Sequence, residues 1–324
     1  MPHLLKIGSA LVIASLPMAG CAIGPSATGS FDRTITVSTP VRLELANGSG
    51  DVQITGSVDG KVHVHGDARS SGFGFDAPQN RLNQVVSNPP IELAGNTVRV
   101  GKSFSHTSNV NVSYVIEVPH DTEVSSTVGS GEQTIKDVRG PVKVSAASGS
   151  IRVSNVERET QLATLSGSID VDTIGDNLRA SSASGSVTVA NVKGDVKISA
   201  LAGATRITKA GGRIDADTAS GSVEVAGATR DVKAHAMSGR IDVQGDPGAT
   251  SYWDLRTVSG EVQLGVPTSA NFHLSAEAVS GEIKTDVPVV VEEQGKHSLR
   301  ARMGNGGGRV EVHTVSGEIL VRGT

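Results

Sequence analysis

Set out in rows of 18 residues, the middle of this chain resolves into columns of like side chains. One column reads Val142, Thr160, Leu178, Val196, Ile214, Val232; two places on it reads Val144, Leu162, Ala180, Ile198, Ala216, Ala234. A second pair of columns begins Ile151, Ile169, Val187 and Val153, Val171, Val189, and runs on to Ile241 and Val243. Polar or charged residues stand between the apolar ones. Alternation with period two marks a strand with one buried face. Each row therefore predicts two short strands of about four residues, each with two neighbouring inward side chains. A smaller column, Val156, Ile174, Val192, Ala210, Ala228, belongs near a corner.

A fixed period makes each row one turn of a stacked structure rather than a unit that folds alone. The expected fold is all-β, a parallel β-solenoid with about 18 residues per coil and two short strands per repeat. Each buried Val or Ile contributes roughly 1.5–3 kcal/mol. Ordering costs about 1–2 kcal/mol per residue, so a lone coil cannot offset it. Stacked neighbours are needed, and they also satisfy the strand hydrogen bonds.

Between the two strands of each row stands Ser-Gly. Its glycine falls at Gly131, Gly149, Gly167, Gly185, Gly203, Gly221 and Gly239, and only Gly203 follows an alanine, Ala202. Glycine accepts positive φ and permits close stacking, and the serine hydroxyl bonds local backbone. A serine that recurs at nearly every turn, with no histidine recurring beside it, reads as structural and not as a nucleophile. The spacing then changes to 21, at Gly260 and Gly281, and to 36 at Gly317, which equals two rows. The run Gly304 to Gly308 lacks the Lys-Ser/Thr and the helix pattern of a phosphate loop, so it reads as a tight turn.

Before the strict repeat, Thr34–Val37, Val41–Leu45, Val52–Ile54, Val62–Val64, Ile91–Val100 and Val110–Val118 alternate as strands, and Asn47 to Gly50 is the first turn motif. Residues 70–90, rich in Gly, Ser, Asn and Pro and carrying Phe73 and Phe75, break the alternation and predict an irregular loop or insertion. The organisation so read is a leader over 1–20, a tether over 21–30, β segments and a cap over 31–124, and the solenoid with its C-terminal cap over 125–324.

Composition narrows the function. The 324 residues include 39 glycines and only 2% aromatics, too few large rings for an ordinary compact core. A net charge of −4 gives no reason to expect nucleic acid as a partner. The one cysteine, Cys21, follows an apolar run, Ile7 to Leu16, too short to span a bilayer. Met18-Ala19-Gly20-Cys21 resembles the lipobox of bacterial lipoproteins, whose cysteine is lipidated. That resemblance implies a membrane anchor at Cys21 and, with Ala22 in place of Asp, the outer membrane of a Gram-negative cell. Whether the chain faces the periplasm or the surface stays open. The competing reading is an ordinary secretory signal with an incidental cysteine.

No catalytic constellation stands out, and no cofactor or metal is expected. The carboxylates Asp170 with Asp172, Asp215 with Asp217, and Glu224 with Asp242 qualify for a check because β-helices also host polysaccharide-cleaving enzymes. A glycosidase needs two acids facing one groove. The outward columns Arg152, Asp170, Thr188, Arg206, Glu224, Asp242 and Lys143, Gln161, Arg179, Lys197, Asp215, Lys233 read instead as solvated ladders with cross-strand pairing. His63 and His65 share one strand face but lack clear third and fourth metal ligands. Tyr252 and Trp253 are either an exposed binding patch or a plug at a corner or end of the stack.

Three further stretches carry a family resemblance: Val41 to Val52, Tyr114 to Pro119, and the serial Ser-Gly-x-Ile/Val turns with the ending Gly304 to Val312 and Ser316-Gly317-Glu318-Ile319. In these the chain resembles the bacterial "putative adhesin" family of β-strand-repeat domains of unknown function, many of them membrane-anchored. The resemblance implies a β-helical fold and carries no set of functional residues. The first functional expectation is a non-enzymatic, membrane-anchored envelope scaffold that meets an envelope protein or a polysaccharide. The alternatives are a carbohydrate-active β-helix enzyme and an envelope-stress sensor that binds its ligand on the solenoid face.

Overall fold

The computed structural model describes residues 26–71, 77–101 and 110–324. Cys21, Phe73 and Phe75 lie outside the described residues. The aliphatic columns become two long sheets that face each other across one continuous hydrophobic core. Sheet A takes the strands after each Ser-Gly turn, such as Ile151–Val156, Ile169–Ile174 and Val187–Val192. Sheet B takes those before it, such as Val142–Ser148, Thr160–Ser166 and Leu178–Ser184. Pairing between coils is parallel and in register: Val142 opposes Thr160, Thr160 opposes Leu178, and Leu178 opposes Val196. Val153, Val171 and Val189 lie one above the next, all buried. The solenoid is therefore built as the 18-residue period requires.

The Ser-Gly corner shows why glycine is used there. The turn glycines stack in a single column with φ between +118° and +152°. A Cβ on any of them from Gly131 onward would come within 1.9–2.3 Å of the carbonyl oxygen of the glycine in the next coil. Both the backbone conformation and the space exclude a side chain. A second left-handed column lies in the sheet A strands. Asp137, Asn155, Thr173, Asn191 and Lys209 have φ of +55° to +59°, and Gly227 closes the series at +76°. Asparagine tolerates this region and Asn155 bonds down the column to the Asp137 carboxylate at 2.6 Å. Thr173, a β-branched residue, is the strained member.

The ends of the stack depart from sequence order. At the N-terminal end the coil that turns at Gly50 pairs directly with the coil of Gly131, through Arg42–Ser49 and Val52–Ser57. The chain between them folds back as a cap, in which Ser26–Thr36 pairs antiparallel with Lys61–Ser71 and that strand with Val110–Pro119. The tether expected over 21–30 is thus corrected: from Ser26 on the chain is strand, with Ser26 opposite Ser71. The irregular insertion expected near 70–90 is corrected too, because Pro78–Ser87 is a helix. Proline suits its first turn, and Leu82 and Val85, three apart, are buried there. Phe31 lies over the bare backbone of Gly66, where a Cβ would meet its ring at 2.2 Å.

At the other end the last coil in sequence is not the last in space. Gly308–Ser316 and Ile319–Gly323 slide between the coil of Gly260 and the coil of Gly281. The 36-residue interval is therefore not two further stacked rows. It holds two antiparallel strands, Val290–Gln294 and Ser298–Met303, that extend sheet B outward, and then the inserted coil. The edge strand Val290–Gln294 is exposed and carries Glu292 and Glu293, charges that discourage edge pairing. Among the described residues no helix is long and apolar enough to cross a membrane.

Candidate interaction face on sheet B

The residue before each Ser-Gly turn points out of sheet B. Along the stack these positions read Ala147, Leu165, Ala183, Leu201, Ala219, Met237, Val258, Val315 and Val279. The large members stay 48–66% exposed, which makes a continuous apolar ridge on the solvent side. Scattered exposed aliphatics are ordinary; an aligned row of them is the kind of patch that marks a contact surface. Sequence reading missed this ridge, although its members recur at the same 18-residue spacing as the core columns.

Beside the ridge runs a trough. Its floor is made of small residues, among them Ala200, Thr218, Ala236 and Thr257, and its far wall is ionic. Over the C-terminal coils the trough encloses about 750 Å³ between Leu201, Met237, Val258, Val315 and Val279 on one side and Asp217, His235, Arg256, His313 and Glu277 on the other. It continues toward the N-terminal coils as smaller spaces of about 430 Å³ and 290 Å³ over Ser145, Ala163, Ser181 and Ser199, flanked by Lys143, Arg179 and Lys197.

The ionic wall is a linked chain of pairs. Lys197 lies 3.6 Å from Asp215, and Lys233 bridges Asp215 at 3.4 Å and Asp217 at 3.5 Å. Partial burial lowers the Lys233 pKa, but the two acids outweigh it, and the net shift is upward. His235 sits between Asp217 at 3.6 Å and Asp254 at 3.3 Å, and Arg256 reaches Asp254 at 2.6 Å. His313 stands 3.4 Å from Glu277. The exposed pairs among these, such as His313 with Glu277, contribute up to about 1 kcal/mol each, so their effect is on partner choice more than on stability.

The remaining candidates separate clearly. Trp253 is fully buried, and its indole N–H donates to the Arg230 carbonyl at 2.7 Å. The exposed Tyr252–Trp253 patch is therefore corrected: Trp253 is a core plug opposite Val232, and only Tyr252 reaches solvent. The Tyr252 hydroxyl donates to Glu311 at 2.6 Å; that bond holds the Glu311 carboxyl below its usual range. His63 and His65 do share an outer face, over buried Val62 and Val64. His65 contacts Asp32 at 2.8 Å and Asp67 at 3.4 Å, and the Asp32 hydrogen bond raises its pKa above 6.5. Among the described residues no group of three or more His, Cys, Asp or Glu is placed to hold a metal.

The acids weighed for catalysis are spread along ladders. Asp170 pairs with Arg152 at 3.8 Å, Glu224 with Arg206, and Asp242 with Arg322 at 3.4 Å. Asp172 accepts from Asn191 at 2.8 Å. Glu224 and Asp242 are register neighbours, and each has its own cation.

No curated protein matches the chain. Several solved structures resemble it at low similarity, among them the following three. A "putative cell adhesion protein" from Clostridium sporogenes is 12% identical, with 92% of this chain and 100% of that one covered and a TM-score of 0.25. A "putative lipid binding protein" from Parabacteroides distasonis is 14% identical, with coverage of 91% and 96% and a TM-score of 0.37. A "putative adhesin" from Bacteroides fragilis is 14% identical, with coverage of 91% and 97% and a TM-score of 0.28. The Toastrack DUF4097 family matches over residues 41–246 and again over 175–322, so nearly all of the described stack is covered. The chain with its Ser-Gly corners and paired long sheets belongs to the Toastrack DUF4097 family.

Proposed function

We propose that this protein is a non-enzymatic, lipid-anchored scaffold of the bacterial cell envelope, of adhesin type, whose contact surface is the outer face of sheet B. The observation that carries the reading is the aligned apolar ridge from Leu165 to Val279 with an ionic wall beside it. A soluble stack gains nothing from such a row of exposed Leu, Met and Val unless another surface covers it. The lipobox-like Met18 to Cys21 supports the anchor. Acyl chains contribute about 0.8 kcal/mol per buried methylene, so more than one chain on Cys21 holds the protein firmly at a membrane.

Cell fractionation tests the anchor. The Cys21→Ser chain is expected in the soluble fraction and the parent chain in the membrane fraction. A Cys21→Ser chain that stays with the membrane would overturn the anchoring reading.

A further inference from the structure

We infer that the partner of the sheet B face is a second copy of this chain, packed face to face and antiparallel. The inference rests on the reading that this face is a contact surface and goes beyond it by naming what covers it. Two independent patterns along the stack point to the same arrangement.

The first is size. From the coil of Gly131 outward the ridge reads Gly129, Ala147, Leu165, Ala183, Leu201, Ala219, Met237, Val258, Val315, Val279. A two-fold axis lying across the face, midway between Leu201 and Ala219, reverses the order of coils. Leu201 then meets the partner's Ala219, and Met237 the partner's Ala183. Val315 and Val279 meet the partner's Ala147 and Gly129. Only Leu165 and the partner's Val258 bring two larger groups together. A parallel pair would instead set Leu on Leu and Ala on Ala and leave voids between them, which forfeits contacts.

The second is charge. On the N-terminal side of that same axis, the two outward columns next to the ridge carry three cations, Lys143, Arg179 and Lys197, and no acid. On the C-terminal side they carry five acids, Asp215, Asp217, Asp254, Glu277 and Glu311, against two cations, Lys233 and Arg256. Reversing the coils sets the cationic half on the acidic half. Lys197 meets the partner's Asp215, and Lys143 the partner's Glu311. Arg179 meets the partner's Lys233, and here each cation keeps an acid of its own chain, Glu159 for Arg179 and Asp215 with Asp217 for Lys233. Isologous pairing of this kind is self-complementary by symmetry.

Coils spaced about 4.8 Å apart make the ridge about 43 Å long. A contact strip roughly 12 Å wide buries about 1,000 Å² over both copies, which suits a reversible dimer. The antiparallel order also puts the two amino-terminal caps at opposite ends of the pair. Two chains anchored in facing membranes can meet this way, which is the geometry that homophilic contact needs.

The test uses the full chain with Cys21→Ser. Sedimentation up to about 100 μM should show a monomer–dimer equilibrium that weakens with salt. Leu201→Glu with Met237→Glu should leave far-UV circular dichroism unchanged, because both sites are exposed, and should abolish the dimer. Separate Leu201→Cys and Ala219→Cys chains, mixed and mildly oxidised, should cross-link to each other in preference to themselves. A chain that stays monomeric, a dimer that survives the double Glu variant, or Leu201→Cys cross-linking mainly to itself would each overturn the inference. These results are independent of the anchor test, since the parent chain with Leu201→Glu and Met237→Glu should still fractionate with the membrane.

Discussion

At the residue scale the two left-handed columns should respond in opposite ways to substitution. Gly185 has no room for a methyl group, since a Cβ would sit 2.1 Å from the Gly167 carbonyl oxygen at a φ of +133°. Gly185→Ala should destabilise the protein by about 3 kcal/mol or more. Thr173 adopts φ of +59° with a β-branched side chain, and Thr173→Asn should stabilise by about 1 kcal/mol. Urea denaturation of both variants checks the pair of signs. Residue chemistry also sets a pH response at the N-terminal cap. His65 has its pKa raised in the folded state by Asp32, so its charged form is favoured there. Its contribution is fully present below 6.5 and is lost as pH rises through the raised folded value. Amide exchange of the Ser26–Thr36 strand, corrected for intrinsic rates, should therefore quicken above that range in the parent chain and not in His65→Gln. Equal behaviour of the two chains would remove His65 from the cap's stability.

At the scale of the element, the coil is the unit, and the sequence makes this plain because every coil repeats the same in–out pattern. The inward columns, the Ser-Gly corner and the outer face of His63 and His65 could all be read by counting. Trp253 also obeys the count, once the 21-residue interval is applied: Val232 plus that interval is Trp253, an inward position. The ridge escaped because its residues continue the strand alternation at the outward parity, one place before the turn, where a polar side chain is expected. The helix Pro78–Ser87 escaped because Gly, Asn and Pro around it hide an apolar face of only Leu82, Val85 and the half-buried Val86. If coils are interchangeable units, removing residues 169–186 keeps every later residue in phase, with Val187 taking the place of Ile169. That shortened chain should still unfold cooperatively, whereas removing 169–177 would put Leu178 of sheet B where a sheet A residue belongs. Thermal denaturation followed by circular dichroism separates the two cases, and a folded half-coil deletion would speak against the in-register core.

At the scale of the whole molecule, the ends were not legible because spacing along a chain does not say between which neighbours a parallel strand will insert. Gly317 lies between Gly260 and Gly281, although it comes last in sequence. The inserted coil and the antiparallel strands beyond it finish one end, and the folded-back strands around Val110–Pro119 finish the other, so that stacking stops at both. The long outer faces of both sheets stay exposed, and the ridge on sheet B exists only if nine coils keep one register. That register is tested most directly by pulsed electron paramagnetic resonance on the Cys21→Ser chain with spin labels at Leu165 and Met237, diluted with unlabelled chain. Four coil steps separate the two sites, and the expected result is one narrow distance near 19 Å, the sum of about 4.8 Å per step. A broad distribution, or a distance beyond about 30 Å, would contradict the stacked register and with it the face on which the proposed contact depends.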